Sequence, residues 1–407
     1  MQSQKICVKA VLKLITASLA LGLSGGIVGA LFSLLIGLVT NIRTNNGWLI
    51  CLLPLFSVVI VFLYQKLKIT GVGTNQVLKA ADEGEELSPL LSLGVFITAG
   101  VSHLFGASVG REGAALQIGG SLAAVFAKLF RFDSTMYKIL VRAGMAAVFA
   151  AVFGTPLAAF FFALEVVLVG SIHIKSVIPC FVSSCTGYLT ARLIGAHPER
   201  FNLLSVPQFS LNVAWKIAVI TVLTAVLSIG FCHSLSFSAK YLKQLIKNPF
   251  LRIIIGGVVI VLLTVLVGNQ DYNGAGINVI ENIFNSSLNP NSLSFKPEAF
   301  ALKLIFTCIS VAAGFKGGEI VPTLFIGSTF GALVATLLGL SAPFGAALGM
   351  ILLFCGVTNC PLASLFLSVE LFSGVGAWYF VPTIALCFLL SGKISLYSTQ
   401  KHRFNFL

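Results

Sequence analysis

Only thirteen acidic residues stand among the 407 of this chain. Asp82, Glu83, Glu85, Glu86, Asp133, Glu199, Asp271, Glu281 and Glu298 lie in polar stretches, whereas Glu112, Glu165, Glu319 and Glu370 lie in apolar or glycine-rich ones. An ionised carboxylate in apolar surroundings is costly, so each of these four needs a partner or a task. Glu165 and Glu370 each follow a Pro-Leu-Ala sequence inside an apolar run. That matched placement predicts a symmetric structural role, bonding nearby backbone or hydroxyl groups. Glu112 and Glu319 are instead embedded in glycine, in Gly110-Arg111-Glu112-Gly113 and Gly317-Gly318-Glu319, and both precede an apolar helix. Glycines there let a ligand approach backbone N–H groups at a helix N-terminus, where the dipole is positive. Gly71-Val72-Gly73 supplies a further turn of this kind. Loops like these, converging in a membrane, would cradle an anion without a full cationic charge, and an adjacent glutamate would compete for the same amides. The alternative is that both glutamates merely cap their helices, and spacing alone leaves the two open.

The elements that must position these residues are membrane helices. Hydrophobic residues make up 57% of the chain and charged residues 10%, with a mean hydropathy of +0.99. So few charges cannot cover a soluble globule. Apolar segments recur at 9–40, 48–65, 88–106, 114–130, 138–170, 175–196, 211–238, 251–268, 300–313, 321–340, 343–373 and 376–392. They are continuous rather than alternating, which excludes an outer-membrane barrel. The first run is too long for a signal peptide and reads as a long, tilted span. The reading is a polytopic helical protein of the cell membrane, in contact with lipid and without a soluble domain at either end.

The net charge of +13 comes from basic residues that punctuate the apolar runs, such as Lys5, Lys9, Lys13, Lys66 and Lys68. That pattern is the flanking charge of membrane spans, not a nucleic-acid patch, and positive-inside bias places both termini in the cytoplasm. The nine cysteines lie mostly inside apolar runs, and the five histidines form no metal-binding pattern. Buried free thiols are expected, with no metal and no cofactor.

An internal repeat organises the whole. Gly71-Val72-Gly73-Thr74-Asn75 matches Gly274-Ala275-Gly276-Ile277-Asn278, Glu112 with Gly120-Ser121 matches Glu319 with Gly327-Ser328, and Pro156-Leu157-Ala158 with Glu165 matches Pro361-Leu362-Ala363 with Glu370. All three blocks keep their order and shift by roughly half the chain length. This predicts two membrane repeats, 1–205 and 206–407, with the functional site at their interface. An odd number of crossings in each would make them inverted.

On these residues the chain resembles the CLC family of chloride channels and transporters. Gly71-Val72-Gly73-Thr74-Asn75-Gln76, Gly110-Arg111-Glu112-Gly113, Gly314-Phe315-Lys316-Gly317-Gly318-Glu319-Ile320-Val321-Pro322 and the late Tyr397 resemble the family's four anion-site motifs, in family order. The resemblance implies an all-α fold of broken and tilted helices in inverted repeats, assembled as a homodimer, with the dimer surface near 175–196 and 376–392. It implies that Glu112 is the gating glutamate and that Gly71, Val72, Gly73 and Asn75 belong to the first anion loop. Gly113, Ile320 and Val321 would add backbone amides, and Tyr397 its hydroxyl.

The departures point within the family. Val72 stands where most members have serine, Ala114 where proline commonly follows the gate, and Glu319 where chloride-type members carry an apolar residue. The internal proton glutamate of chloride/proton exchangers would fall at Val166 and is absent. The set resembles the CLC-F branch of bacterial fluoride/proton antiporters, although better-known members have methionine at the Val72 position and threonine at the Val321 position. The expected function is export of fluoride in exchange for protons, conferring fluoride resistance, with Glu112 and Glu319 handling gating and proton transfer. A chloride/proton exchanger or chloride channel of the same fold is the rival. A membrane enzyme would need a nucleophile or metal beside the paired carboxylates, and none is evident.

Overall fold

A computed structural model describes the backbone of residues 2–69, 73–285 and 295–403, and the side chains among them from residue 11 onward. The first helices in chain order are α1 (Gln2–Asn45), α2 (Leu53–Lys66), α3 (Thr74–Glu83), α4 (Leu90–Leu104), α5 (Glu112–Leu129), α6 (Ser134–Phe153), α7 (Pro156–Glu165) and α8 (Ile174–Ile194). A second set follows: α9 (Leu211–Leu245), α10 (Pro249–Val267), α11 (Ile277–Asn285), α12 (Ala299–Ala313), α13 (Ile320–Leu337), α14 (Ala342–Thr358), α15 (Pro361–Leu371) and α16 (Ala377–Ser391). Seven helices among the described residues are long and apolar enough to cross a membrane. This is a polytopic helical membrane protein.

Two apolar runs read as continuous are in fact broken. The run 138–170 divides into α6 and α7, where Gly154 takes a left-handed conformation (φ 77°) and Pro156 cannot continue the helix. The run 343–373 divides at Asn359 (φ 55°) and Pro361 in the same way. The short helices α3 and α11 fall in no apolar run. They are amphipathic, and each follows a Gly-x-Gly sequence.

The two sets pack alike. α1 lies against α4, α6 and α8, and α9 lies against α12, α14 and α16; α5 packs on α6 as α13 packs on α14. Across the two sets, like meets like: α2 touches α10, α5 touches α13 and α7 touches α15. At two of these meetings the contact is reciprocal. The Glu165 carboxylate, at the end of α7, accepts from the Leu362 and Ala363 N–H groups at 3.1 and 2.8 Å, in the first turn of α15. The Glu370 carboxylate, near the end of α15, accepts from Leu157 and Ala158 N–H, both at 2.9 Å, in the first turn of α7. Each helix thus caps the other, and the two run antiparallel. The symmetric structural role expected of these glutamates is what the structure contains.

The second reciprocal contact is an antiparallel bridge between Gly110 and Gly318. Gly110 N–H donates to Gly318 O at 2.6 Å, and Gly318 N–H donates to Gly110 O at 2.7 Å. Both contacts fit a two-fold relation between the sets, with antiparallel counterparts. Such a relation inverts one set against the other when the axis lies in the membrane plane.

The segment after α16 returns across both sets. Leu396 N–H donates to Val357 O at 2.9 Å, and two short parallel strands form, β1 (Leu168–Val169) with β2 (Lys401–His402). Lys401 Nζ lies 2.6 Å from Asp82 and 3.1 Å from Glu83 at the end of α3; these hydrogen bonds and charges hold its ammonium above the ordinary lysine pKa.

The crossed carboxylate caps should be costly to remove. Glu165→Ala leaves two buried N–H groups without acceptors, an expected loss of about 2–5 kcal/mol. Glu165→Gln keeps one carbonyl acceptor and should lose less. Thermal unfolding in mild detergent would rank the pair, and equal melting temperatures for Glu165→Ala and wild type would contradict the capping role.

Candidate functional site

The Gly110–Gly318 bridge sets two helix N-termini side by side. α5 begins at Glu112, and its first helical bond runs from Ala115 N–H to Arg111 O at 3.0 Å. α13 begins at Ile320, and its first runs from Thr323 N–H to Glu319 O at 2.9 Å. The N–H groups of Glu112, Gly113 and Ala114, and of Ile320 and Val321, therefore have no carbonyl four residues back. Pro322 has no N–H to offer. The approach is tight. A Cβ on Gly318 would lie 2.3 Å from the Gly113 nitrogen, and one on Gly113 would lie 2.7 Å from Gly318 Cα. Gly113 and Gly318 are thus required for backbone to meet backbone.

These bonds correct the repeat register at the site. Arg111 O and Glu319 O accept equivalent bonds, so the structural counterpart of Glu319 is Arg111, and that of Glu112 is Ile320. The helix contacts agree. A Cβ on Gly119 would meet Gly144 O at 2.1 Å, and one on Gly327 would meet Gly349 O at 2.4 Å, so Gly119, not Gly120, plays the part of Gly327. The sequence match aligned like letters one residue off, and a one-residue slip turns a side chain by about 100° around a helix.

The Glu112 side chain is fully buried. Its Oε2 accepts from Arg111 N–H at 3.1 Å, and its Oε1 lies 3.5 Å from Arg111 Nε with no hydrogen-bond partner among the described residues. The carboxylate lies against the opposite loop: a Cβ on Gly110 would be 2.9 Å from Glu112 Oε2 and 3.1 Å from both Val321 Cβ and Pro322 Cδ. It fills the space between the starts of α5 and α13. Glu319 is half-buried, and its side chain neither caps α13 nor forms an ion pair among the described residues. Helix capping, the bland alternative, describes neither residue.

The other expected site residues are placed as follows. Gly71 and Val72 lie outside the described residues. Gly73 precedes α3 at φ 123°, and the next residue, Thr74, has its hydroxyl 3.5 Å from the Cβ position of Gly113, so this third loop joins the other two. Asn75 is engaged elsewhere: its Oδ1 accepts from the Thr399 N–H at 3.3 Å and hydroxyl at 3.0 Å. Its side-chain carbonyl ties the α3 loop to the turn that carries Tyr397, a positioning task. Ile320 and Val321 are buried. Tyr397 is buried edge-on to Phe162, and the charges of both Glu319 and Glu112 act on its hydroxyl. No described residue hydrogen-bonds that hydroxyl.

Three features escaped sequence reasoning. The Arg111 guanidinium is held by Glu199, from the connection between α8 and α9, and by Ser33 Oγ at 3.2 Å. Glu199 stood among acids in a polar stretch, and no spacing links it to Arg111. The two border a cavity of about 440 Å³ that is also lined by Arg43, Asp271 and Glu281. Lys303, a lone cation in an apolar run, is fully buried beneath the second-set loop that matches Gly71–Asn75. Its ammonium donates to Tyr272 O at 3.1 Å and Gly274 O at 2.6 Å. The matching sequences therefore carry different local chemistry.

Residues 55–392 match the voltage gated chloride channel family. The chain belongs to this CLC family. A chloride/fluoride channel protein of Pseudomonas syringae pv. tomato is 32% identical over 375 residues, covering 89% of this chain and 80% of that protein. The voltage-gated ClC-type chloride channel ClcB of an Escherichia coli strain is 28% identical over 303 residues, covering 71% of this chain and 69% of its own. Among solved structures, a CLC-type fluoride/proton antiporter superposes with a TM-score of 0.90 at 30% identity, over 96% of this chain and 98% of that one. A slow cyanobacterial Cl⁻/H⁺ antiporter, at 18% identity and TM-score 0.75 over 93% and 94% of the two chains, shares the fold.

The glycine positions of this CLC site separate two kinds of constraint. Gly318→Ala places a methyl inside the Gly113 backbone and should yield little monodisperse protein on size exclusion. Gly73→Ala meets open space but an unfavourable φ, and should fold with a loss of about 1–3 kcal/mol. Equal yields and melting temperatures for the two variants would refute the close-approach argument.

Proposed function

We propose that this CLC protein is a secondary antiporter that exports fluoride in exchange for protons and so confers fluoride resistance. The observation that carries the reading is the buried Glu112 carboxylate, which fills the space between two helix starts whose first amides have no helical carbonyl to bond. An anion and an ionised carboxylate are alternative occupants of such a place. Protonated, the side chain loses its attraction to the positive helix ends and can leave, carrying H⁺ and opening the place to the anion. Alternate occupancy of one cradle couples the two fluxes.

Fluoride is favoured over chloride on two grounds. Glu319 puts a carboxyl where chloride-type members carry an apolar residue, and Val72 replaces the serine hydroxyl. The likeness to the fluoride/proton antiporter is also greater, in identity and in superposition, than that to the Cl⁻/H⁺ antiporter. A small, strongly hydrated ion needs close donors to replace its water, and the α5 and α13 amides with the Tyr397 hydroxyl can supply them. Glu319 contributes to anion handling or proton transfer. The reading carries no enzymatic step. It places the protein in the cell membrane with both termini cytoplasmic, as a homodimer joined through α8 and α16, whose outer faces expose Ile174, Leu193 and Trp378.

Ion flux from liposomes under F⁻ or Cl⁻ gradients tests this directly. Wild type should move fluoride in preference to chloride and acidify or alkalinise the lumen with the sign of exchange. Glu112→Gln should fold and lose the proton flux. Equal F⁻ and Cl⁻ rates in wild type would transfer the assignment to the chloride alternative.

The pH profile should report the Arg111–Glu199 contact. Arg111 and Glu199 are the ionisable groups whose charges act on Glu112, and Glu112 in turn acts on Tyr397. Glu199→Gln leaves the guanidinium with Glu112 as its sole carboxylate contact. The ionised gate is then favoured, and more acid is needed to release it. Half-maximal transport should move to lower pH by roughly one unit, while Glu199→Asp stays near wild type. A reduced rate at an unmoved pH would mean that Glu199 only supports folding.

A further inference from the structure

α2 and α10, counterparts in the two sets, pack against each other, and at one end of their seam lies a cavity of about 590 Å³. Ile60, Val61 and Pro249 form apolar walls, and three cations, Lys68, Arg252 and Lys316, line it without a lining acid. The cavity beside Arg111 differs in kind, because its Arg43 and Arg111 share the lining with Glu199, Asp271 and Glu281. Here the positive charge is not balanced at the wall. Arg252 donates from Nη1 to Ile246 O at 3.3 Å, and its buried Nε has no hydrogen-bond partner among the described residues. Lys316 Nζ stands 4.6 Å over the Tyr64 ring. Arg252 repels it, and Glu319 on its own loop attracts it from outside the cavity wall.

Cations beside hydrocarbon are costly, and an anion from outside the chain would offset that cost. The chemistry available there is lipid chemistry. The outward faces of α2 and α10 are apolar and exposed through Leu55, Phe62, Leu262 and Val265, so the seam meets acyl chains. We propose that this cavity binds the phosphate headgroup of an anionic membrane lipid. The Arg252 guanidinium and Lys316 ammonium take the phosphate oxygens, Lys68 adds charge at the rim, and Ile60, Val61 and Pro249 meet the glycerol and upper acyl carbons. Basic pockets between membrane helices suit such headgroups. The cavity lies beside the loop that carries Glu319, and its test does not depend on which ion is moved.

Protein reconstituted in bilayers of equal phosphatidylglycerol and phosphatidylcholine, then released and weighed by native mass spectrometry, should retain phosphatidylglycerol selectively. Arg252→Gln and Lys316→Gln should each lower that retention about fivefold, and Arg252→Lys should largely keep it. Equal retention of the two lipids by wild type would overturn the proposal without reliance on any variant. So would unchanged selectivity in the Arg252→Gln, Lys316→Gln double variant. A second arm adds inorganic phosphate to delipidated protein and follows its melting temperature. Phosphatidylglycerol should stabilise and millimolar phosphate should not. Equal stabilisation by phosphate alone would overturn the lipid assignment and point to a free phosphate ion.

Discussion

Two peptide groups, at Gly110 and Gly318, exchange hydrogen bonds where no side chain would fit, and the architecture around them follows from that contact. Because the bridge is antiparallel and reciprocal, α5 and α13 leave it as related helices with their N-termini adjacent. Their first amides, which have no helical carbonyl to bond, then share one space. Bringing two positive helix ends together is unfavourable unless negative charge lies between them, and the Glu112 carboxylate supplies it. The same close approach explains why glycine occupies both sides of the loop pair: a Cβ on Gly318 would stand 2.3 Å from the Gly113 nitrogen.

The membrane makes the remaining polar groups similarly exacting. Helix ends inside it cannot turn to water. α7 and α15 solve this by exchange, each giving a glutamate to the first turn of the other. That arrangement fixes the seam between the two sets without exposing a charge to lipid. The buried acids thus divide by their bonding. Both oxygens of Glu165 and of Glu370 accept from backbone N–H groups, whereas Glu112 retains an oxygen without a hydrogen-bond partner among the described residues.

Symmetry carries the scaffold, and its breaking makes the site. The two sets share helix order and packing, yet the second Gly-x-Gly loop is tied down by Lys303, while the first is tied through Asn75 to the Tyr397 turn. At the bridge itself, Arg111 and Glu319 occupy equivalent positions with opposite charge. The surround of the paired helix starts is therefore unequal on its two sides. Arg111 is further drawn toward Glu199, so its charge is divided between two carboxylates.

The sequence by itself determined that the chain lives in lipid, that it is built twice, and which glycine-flanked glutamates could face an anion. Those signals are local: hydropathy is summed over neighbours, and a repeat is a comparison of letters. It also marked Glu165 and Glu370 as structural, because a charge placed symmetrically in apolar runs must find backbone donors. Tertiary structure alone decided the rest. The runs 138–170 and 343–373 break at Gly154 and Asn359 because the next helix must return toward its counterpart. The register of Glu319 shifted onto Arg111 because helix starts, not letter matches, set equivalence. Neither Glu199 nor Lys303 announces itself, since each gains its role from a residue distant in the chain. Electrostatic partners and backbone contacts depend on distances of a few ångströms in space, which residue spacing along the chain does not encode.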